Sequence, residues 1–505
     1  MTNQDKKSSS NSTPTVLIAT SVGTGIRYFF QTGIVPALLK SGIKVVGLVP
    51  NSEDIKKDMD GMPSSFILES FEIRNKRDQL GWILSRILII IEITVQYLRT
   101  SGVSNKVNRA VFRDIQRHQN LKIRQGKTWF LIHPLRLIAL LLRNSKMSRG
   151  IYRWFVNCRP IESLETDIFE KHHPSLIVTN GPGWNPIEEI IIREARAQGI
   201  PSVATLIGWD HTASQGLPLA MPDRIRTWSE IQKRELVEGC DVLPESVDVG
   251  GVASFDSYNE INQSISKDDY LVSLGLDKTR KLICFGCTFV GISSNVEIVR
   301  SLARSVVEDR LAYPSQLIIR LHPSHYKKPR TGSFDSDMRT AQEIDVYEQL
   351  ARDNPHVHID SPAFSTHDIP MATNRTDILS LASLLRHTDV FVTLFSTMVL
   401  EAAVNDTPVV SVAIDPPMSD REGRLMSITD AMDWPTHERI ISSKASTVAM
   451  TYDEMIKSIS KYLENPDLHS VERKNFAVQE CTYVDNSSSN RIADYLKKMT
   501  NLTNI

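Results

Sequence analysis

The residues best suited to chemistry lie in the string DVFVTLFSTMVLEAAVNDTPVVSVAID, toward the end of the chain. An apolar run ends at Leu394, and Ser396 and Thr397 then open a segment with helical spacing. Hydroxyls and free backbone N–H groups at a helix N-terminus form an anion site. Glu401 follows one turn later, where a carboxylate accepts hydrogen bonds from sugar or ribose hydroxyls. The string predicts a phosphate site; the alternative is an ordinary capped helix with a surface glutamate.

A second polar position follows the apolar run of SQLIIRLHPSHY. Pro323 stops the strand ladder, so His322 is predicted at the carboxyl end of a strand, where open α/β sheets bind ligands. A histidine there donates to a phosphate oxygen and helps a nucleotide leave. His325 is a weaker candidate. A lone His-Pro pair is usually a loop feature, so this prediction depends on Ser396 and Thr397 lying at a nearby strand end.

His322 together with the Ser396–Thr397 string resembles the CDP-glycerol glycerophosphotransferases and the CMP-sugar transferases of bacterial surface polysaccharides. The string itself resembles the C-terminal half of GT-B glycosyltransferases. These resemblances imply that His322, Ser396 and Thr397 contact the donor phosphate and that Glu401 contacts the donor. They also imply two Rossmann-like domains, with a nucleotide-activated donor as substrate and no separate cofactor.

The segment TLIGWDHTASQG resembles a turn, W-D-x-x-T-x-x-G, in a group of bacterial glycosyltransferase-like proteins. His211 and Gln215 stand where that group has Asn and Lys, which puts any role of these two positions in doubt. We predict that Asp210 ends a buried strand and faces the cleft between the domains, where a carboxylate deprotonates an acceptor hydroxyl. The alternative, given equal weight, is a turn in which Asp210 hydrogen-bonds its own loop.

The first apolar strand is followed by a glycine-bearing turn, SVGTGIR. Gly23 and Gly25 allow close backbone approach, and Arg27 is predicted to hold an acceptor phosphate. The alternative is a plain tight turn with a solvated Arg27. Tyr28 stands where the third glycine of a dinucleotide-binding motif would be, which excludes that motif. Asn180, in the loop TNGPGWNPIEE, is predicted to lie near the acceptor on the same side.

Around these positions, apolar runs alternate with helical periods in two series, which predicts α/β packing with parallel strands. The first series begins with VLIAT and an amphipathic helix to about Leu39, and the second begins with KLICFG. A chain of 505 residues is expected to form two domains. The predicted parts are a disordered start, an acceptor-side domain, a nucleotide-donor-binding domain and a C-terminal helix that crosses back to the first domain, at 1–13, 14–255, 266–480 and 481–505.

Residues 76–159 interrupt the first series as a helical, basic insertion. Its apolar runs, WILSRILIIIEITVQYL and WFLIHPLRLIALLL, are too short or too interrupted by charge for comfortable transmembrane helices. From Arg99 to Arg159 the only acid among many Lys and Arg residues is Asp114. Apolar helices with tryptophans and a basic excess suit an anionic membrane surface. The alternative is a helical subdomain packed on itself, with solvated basic residues.

Composition excludes several classes of function. The formal net charge of −1 gives no global attraction to nucleic acid. Five scattered cysteines suit a reducing compartment, and Cys284 and Cys287 are interpreted as structural. The polar start has no apolar signal-peptide core. Asp335–Asp337 are expected in a surface loop, and no metal site is predicted. We therefore expect a cytoplasmic protein, peripheral on the inner face of the cell membrane.

The favoured function is transfer of a sugar from a nucleotide-activated donor to a membrane-associated acceptor. The acceptor would be lipid-linked or a polysaccharide, in surface polysaccharide or glycolipid synthesis, and the reaction would need no metal. Three alternatives stay open: a glycerophosphotransferase using CDP-glycerol, a UDP-sugar 2-epimerase, and a non-catalytic nucleotide-sugar-binding protein. The insertion argues against the epimerase, whose substrate is soluble. The loop Ser361–Ser365 is the predicted contact for the nucleotide base.

Overall fold

The computed structural model describes residues 13–50, 52–58, 62–74, 82–125, 128–159, 163–164, 167–258, 265–288, 295–326, 334–415 and 427–501. Most of the predicted disordered start, 1–12, therefore lies outside the described residues. The strands are β1 Thr15–Ala19, β2 Lys44–Val49, β3 Phe66–Ser70, β4 Ile73–Arg74, β5 Ser163–Leu164, β6 Leu176–Thr179, β7 Ser202–Thr205, β8 Arg224–Thr227, β9 Val247–Val249, β10 Lys281–Gly286, β11 Ser315–Arg320, β12 Val357–Asp360, β13 Val390–Thr393, β14 Val409–Val412 and β15 Thr447–Ala449.

The described α-helices connect these strands. They are Gly23–Phe30, Ile34–Lys40, Ser52–Asp58, Trp82–Ser101, Ala110–Gln125, Ile132–Asn144, Lys146–Cys158, Ile168–His172, Pro186–Ala197, His211–Ser214, Glu230–Cys240, Lys267–Ser273, Val296–Val307, Phe334–Asp353, Arg375–His387, Thr397–Val404, Pro435–Ser443, Tyr452–Glu464, Ser470–Cys481 and Ser488–Asn501. Short 3-10 turns lie at Trp129–Leu131, Pro244–Ser246, Ala253–Phe255, Pro323–Tyr326 and Asp430–Asp433.

Two parallel sheets organise the chain. The first has seven strands in the order β3-β2-β1-β6-β7-β8-β9, and the second has six in the order β12-β11-β10-β13-β14-β15. Their central strands read as continuous apolar runs because helices cover both faces of a parallel sheet. The fold is therefore α/β with two Rossmann-like units, as the alternating pattern predicted. The unpredicted strands β3, β9 and β15 are sheet edges, where partial exposure weakens the apolar signal.

Two local predictions were wrong. The helix predicted to run to about Leu39 is two helices, broken at residues 31–33. The Thr32 hydroxyl donates to the carbonyl of Tyr28 at 2.7 Å and accepts from the N–H of Ile34 at 3.4 Å, so it serves both helix ends at the break. Asp335–Asp337 lie in the first turn of the helix Phe334–Asp353 rather than in a loop.

The last helix, Ser488–Asn501, lies against the first domain. Tyr495 Oη donates to Asp248 Oδ2 at 2.6 Å. The Asp256 carboxylate accepts the backbone N–H groups of Ser488 at 3.1 Å and Ser489 at 2.6 Å. The chain thus returns to the first domain after completing the second sheet.

The insertion leaves the first domain after β4 and re-enters at β5, and these two strands pair antiparallel. Its four α-helices share a buried core with the first domain. No helix in the described ranges is long and apolar enough to span a membrane.

Many of the insertion's basic residues are turned into protein, which neither sequence interpretation anticipated. Arg149 pairs with Asp241 at 2.6 Å, and Arg159 pairs with Glu189 at 2.5 Å. Others donate to backbone carbonyls because buried carbonyl groups need donors. Arg99 donates to the carbonyl of Trp184, and Arg153 donates to that of Cys240. Arg109 and Arg143 both donate to the carbonyl of Ser101. These six arginines therefore fix the insertion in place.

Candidate functional site

The second sheet sets the spacing of the candidate site. Arg320 on β11, Gly286 on β10 and Thr393 on β13 stand in one row across three adjacent strands. Parallel strands lie about 4.8 Å apart, so the outer two strand ends are separated by roughly 10 Å. His322 follows Arg320 by two residues, and Ser396 follows Thr393 by three. The two predicted phosphate contacts thus flank one central strand at its carboxyl end.

Gly286 lets the helix Thr397–Val404 approach that central strand closely. A Cβ at this position would lie 2.6 Å from the Phe391 ring and 3.0 Å from Met398 Sδ. Any larger residue would force the Phe391 ring and the Met398 side chain, which belongs to the first helical turn, to move. The helix N-terminus therefore lies directly beside the end of β10.

The N-terminus of this helix has no side-chain cap. Ser396 occupies the N-cap position with extended backbone, yet its side chain makes no capping hydrogen bond. Its Oγ lies 3.4 Å from Thr393 Oγ1 instead. The first-turn N–H groups, which normally need a partner, are thus not satisfied by the Ser396 hydroxyl. Ser396 and Thr397 are half-buried, which leaves this turn accessible.

His322 is held in one neutral tautomer. Its Nδ1 accepts the N–H of Ser324 at 3.1 Å and lies 2.7 Å from the Ser324 hydroxyl, so the proton resides on Nε2. Burial lowers the pKa of His322 to about 3, and the nearby charges of His325 and Arg320 act in the same direction. At neutral pH His322 is an uncharged hydrogen-bond donor through Nε2.

His325 is turned away from this edge into the second domain. Its side chain is fully buried, with Nδ1 2.9 Å from the carbonyl of His322 and Nε2 3.7 Å from Glu343. It supports the turn that carries His322.

Arg320 is a charged residue of the site that the sequence reading passed over. It is buried and donates to Asp360 at 2.8 Å and to Asp377 at 2.6 Å. These bonds join the ends of β11 and β12 to the start of the helix Arg375–His387. The available signal was a lone arginine at the end of the apolar run SQLIIR.

Glu401 lies inside the cleft between the domains rather than on a surface. It is 9% exposed, and Tyr258 Oη donates to its Oε2 at 2.5 Å. Burial raises the pKa of Glu401, while the charge of Arg27 opposes that rise. The charge of Arg27 also acts on Tyr258, where it opposes the larger effect of burial, which raises the pKa of that hydroxyl. Two residues that were predicted to serve different ligands therefore meet at one tyrosine.

The glycine-bearing turn after β1 lies against the second domain. The Gly23 N–H donates to the carbonyl of Pro370 at 3.1 Å. A Cβ at Gly23 would lie 2.1 Å from the backbone of Met371 and Ala372, whereas one at Gly25 would meet Thr20 Oγ1 of its own domain at 2.1 Å. The first position of this helix N-terminus is thus occupied by the other domain's main chain.

The loop predicted to contact the base joins the same junction. Gln31 Nε2 donates to the carbonyl of Thr373 at 2.9 Å and lies 3.4 Å from Ser365 Oγ. The Thr366 hydroxyl donates to Asp54 at 3.0 Å.

The prediction that Asp210 ends a strand was wrong. β7 stops at Thr205, and Asp210 is an exposed residue before the short helix His211–Ser214. Its carboxylate accepts from Ser214 Oγ at 2.9 Å, which is a local hydrogen bond of the kind the alternative interpretation required. Its charge also acts on the buried His437 of the second domain. Asp210 therefore lies at the domain junction.

Asn180 is a buried part of its loop. Its Nδ2 donates to Glu188 Oε1 at 2.7 Å, and the same carboxylate accepts the N–H of Trp184 at 2.8 Å. Glu188 also forms a capping box with Asn185. Burial raises the pKa of Glu188 to about 7. The contacts of Asn180 hold the loop in shape.

A polar cluster joins the domains beside Asp210. Arg439 donates to Glu235 at 3.2 Å and to Glu480 at 2.8 Å, and Trp209 Nε1 donates to the other oxygen of Glu480 at 2.7 Å. The tryptophan of the W-D turn thus anchors the two halves of the molecule.

The cysteine pair offers little chemistry. Cys284 and Cys287 are buried and free, and burial raises the pKa of both thiols. Both are therefore protonated at neutral pH. Within the part of the chain that is described, no group of three or more His, Cys, Asp or Glu could hold a metal ion.

The insertion presents an apolar surface, here called the apolar face. Its exposed large residues come from the segments 82–101, 110–125, 129–144 and 146–158. They are Ile83, Leu84, Ile87, Ile90, Leu121, Trp129, Phe130, Leu137, Ile138, Leu140, Leu141, Met147, Ile151, Trp154 and Phe155. Contiguous exposed apolar area of this kind marks an interaction surface.

No protein-family model matches the chain, and no curated protein matches it. Solved structures do. A candidate UDP-N-acetylglucosamine 2-epimerase from Listeria monocytogenes superposes with a TM-score of 0.53 at 12% identity, covering 96% of each chain. The UDP-GlcNAc 2-epimerase from Methanocaldococcus jannaschii gives 0.51 at 11% identity, covering 96% of this chain and all of its own. The UDP-GlcNAc 2-epimerase from Neisseria meningitidis, solved bound to UDP-GlcNAc, gives a TM-score of 0.50 at 12% identity, and the match covers 96% of this chain and 100% of that one.

At these identities the similarity concerns the fold. It extends over nearly the whole chain, so both sheets and their arrangement are shared. Together with the two parallel sheets, it defines a two-domain α/β protein of the GT-B type.

Proposed function

We propose that this chain is a nucleotide-sugar-dependent glycosyltransferase that acts on a membrane-associated acceptor. The nucleotide-donor part of this proposal rests on the row formed by Arg320, Gly286 and Thr393 across three adjacent strands. This row places His322 and the uncapped turn at Ser396 and Thr397 on either side of the end of β10. The gap of roughly 10 Å suits a pyrophosphate that is contacted from both sides.

The donor half stabilises a leaving nucleotide without needing a metal. Neutral His322 donates through Nε2 to a phosphate oxygen. The N–H groups and hydroxyls at Ser396 and Thr397 face developing negative charge, where the helix dipole adds to the stabilisation. Both sets of donors are fixed before the reaction begins, His322 by Ser324 and the helix by its packing on Gly286.

The acceptor half is assigned to the first domain. Asp210 is an exposed carboxylate at the domain junction, which suits a general base that takes the proton of an acceptor hydroxyl. Arg27 and Glu401 form the polar floor between the domains, joined by Tyr258. Closure of the two domains over the substrates would exclude water from this space.

The apolar face of the insertion supports work at a membrane, on the inner face of the cell membrane. Trp129, Phe130 and Trp154 are more than half exposed, and the helices that carry or follow them also carry exposed basic residues, Arg136 and Lys146. Aromatic and aliphatic side chains enter the headgroup region while basic residues attract anionic lipid. A lipid-linked or polysaccharide acceptor would be reached there.

A UDP-sugar 2-epimerase is the second candidate. It is favoured by the buried group Glu401–Tyr258–Arg27, which provides acid and base functions inside the cleft, and by the solved epimerases that share the fold. The alternatives predict different products. An epimerase converts UDP-GlcNAc alone into its C2 epimer, a glycerophosphotransferase consumes CDP-glycerol, and a non-catalytic binder gives no product with any acceptor.

The test of the donor site is calorimetry with UDP, CMP, CDP, GDP and CDP-glycerol. With the best nucleotide, His322→Ala and Ser396→Ala should each weaken binding about tenfold, the scale of one lost hydrogen bond to a charged group. His133→Ala, at an exposed histidine of the insertion, is the control and should bind normally. Unchanged affinity in both site variants would remove the donor assignment.

A further inference from the structure

The helix Ala110–Gln125 and the start of the helix Ile132–Asn144 form an open pocket of about 340 Å³ at the surface of the insertion. Its lining includes four arginines, here called the arginine pocket: Arg113, Arg117, Arg124 and Arg136. The first three lie on one face of the helix, at spacings of four and seven residues, and Arg136 closes the cavity from the neighbouring helix. No acidic residue lines it.

Among the residues that the structure describes, three of these guanidinium groups have no counter-charge. Arg113 pairs with Asp114 at 3.0 Å and with Asp433 at 3.1 Å. Arg117, Arg124 and Arg136, by contrast, form no hydrogen bond or ion pair with any residue that the structure describes. Six other arginines of the insertion, by comparison, donate to carboxylates or backbone carbonyls: Arg99, Arg109, Arg143, Arg149, Arg153 and Arg159. Like charges around one space repel one another unless an anion fills it.

The position of the pocket indicates where that anion comes from. Leu121 lines the cavity and is 52% exposed, and it belongs to the apolar face. Arg136 is followed directly by the exposed Leu137, and Trp129 and Phe130 lie in the turn before the same helix. A soluble anion would gain nothing from this apolar rim, whereas a lipid places its phosphate next to its own apolar chains.

We propose that the arginine pocket binds the phosphate headgroup of an anionic membrane lipid, with the acyl chains lying along the apolar face. Guanidinium groups suit this ligand because they donate pairs of hydrogen bonds to phosphate oxygens. The proposal rests on the membrane half of the proposed function and gives that half a specific site. Diffuse attraction between basic residues and a charged surface would need no such convergence.

The test compares two triple variants of the full chain that lose the same charge. The pocket variant is R117Q/R124Q/R136Q. The control variant is K106Q/K122Q/K146Q, at exposed lysines of the insertion outside the pocket. Each is sedimented with phosphatidylcholine vesicles that contain either phosphatidic acid or phosphatidylserine, at matched surface potential. Phosphatidic acid carries a phosphate monoester, which is the group that the pocket should recognise.

The wild-type chain should prefer phosphatidic acid by about tenfold, as expected for charge-assisted hydrogen bonds. The control variant should keep this preference while binding both vesicles more weakly, and the pocket variant should lose it. Equal preference in the two variants, or none in the wild type, would overturn the proposal. The proposal would also be overturned if calorimetry showed that free pyrophosphate binds to the wild type and the control variant but not to the pocket variant. The ligand of the pocket would then be a soluble phosphate.

These outcomes separate the pocket from the proposed function. Binding to anionic vesicles without preference would remove the pocket alone, whereas no binding to any vesicle would remove the membrane half as well. Nucleotide affinity should be the same in both triple variants, since the donor site lies in the other domain.

Discussion

At the scale of single residues, His437 couples the stability of the protein to pH. It is buried between Phe395 and Trp434, stacked on both rings, and its Nδ1 donates to the carbonyl of Ala431 at 2.8 Å. Burial is the largest influence and lowers the pKa of His437 to about 4. An unfolded histidine titrates near 6.5. Between these values the unfolded state binds a proton that the folded state does not, so stability falls as pH falls.

His437→Phe should therefore flatten the pH dependence. The variant keeps the stacking but loses the hydrogen bond, so it should be less stable than the wild type at pH 7. Its loss of stability from pH 6 to pH 5 should be smaller, by at most about 1.4 kcal/mol per pH unit. Urea unfolding between pH 7 and pH 5 measures this, with His133→Phe as an exposed control. An unchanged slope would mean that folded His437 is already protonated.

Residue chemistry could be anticipated only where it is local. His322 and Ser396 were identified because a histidine and a serine each follow an apolar strand directly. The group formed by Glu401, Tyr258 and Arg27 could not be anticipated, because its members come from three elements that lie up to several hundred residues apart in the sequence. Glu401 was correctly placed one turn into its helix, but its burial is decided by the other domain.

At the scale of elements, the turn Gly23–Gly25 offers a paired test. A Cβ at Gly23 would collide with the backbone of Met371 and Ala372, and one at Gly25 would collide with Thr20. Gly23→Ala should therefore push the domains apart, with a cost of about 1–3 kcal/mol for the forced shift. Gly25→Ala should strain the first domain without parting it from the second.

Small-angle scattering distinguishes the two variants, because only Gly23→Ala should increase the radius of gyration. Gly150→Ala is a control, since a Cβ there meets no atom within 4 Å. An unchanged radius for Gly23→Ala would show that the loop at Met371 yields without opening the molecule.

Helices and strands were predictable where they are buried on one face or on all sides, because such burial leaves a regular apolar pattern in the sequence. The central strands of both sheets follow from continuous apolar runs. Gly199 follows the helix Pro186–Ala197 with a φ of 68°, a conformation that glycine adopts readily at helix C-termini. The break at Thr32 was missed because the apolar period continues through it. Asp210 was misplaced because the apolar run TLIG continues beyond the hydrogen bonds of β7.

At the scale of the whole molecule, Arg439 joins the two halves through carboxylates of both, Glu235 and Glu480. Arg439→Met would leave Glu235 and Glu480 buried without a counter-charge, which should cost about 3–5 kcal/mol of unfolding free energy. Adding Glu480→Gln should recover part of this loss, because it removes one charge and keeps an acceptor for Trp209. Arg310→Met, which breaks an exposed pair with Glu308, should cost less than about 1 kcal/mol.

Urea unfolding of the single and double variants measures these differences. Equal losses of unfolding free energy for Arg439→Met and Arg310→Met would mean that water replaces Arg439 as the partner of Glu235 and Glu480. A double variant less stable than Arg439→Met alone would show that Glu480 is neutral in the single variant.

The architecture as a whole was predictable because periodicity carries it. Two alternating series predicted two parallel sheets, and both exist. The role of the insertion's charges was not predictable. Arg149 and Arg159 pair with Asp241 and Glu189, which lie outside the insertion. Sequence counts a charge but does not say which face of the helix carries it.

The antiparallel pair β4–β5 makes the insertion a cassette whose two ends touch. A protein engineer could excise it and close the chain with a short hairpin turn, because the flanking strands already meet in register. The excision would strip Asp241 and Glu189 of their arginines, so both would need neutral replacements. It would also expose first-domain residues that share a core with the insertion, such as Leu206 and Leu219, so these would need polar replacements. The resulting protein would retain both sheets and the donor site, and would isolate nucleotide chemistry from lipid.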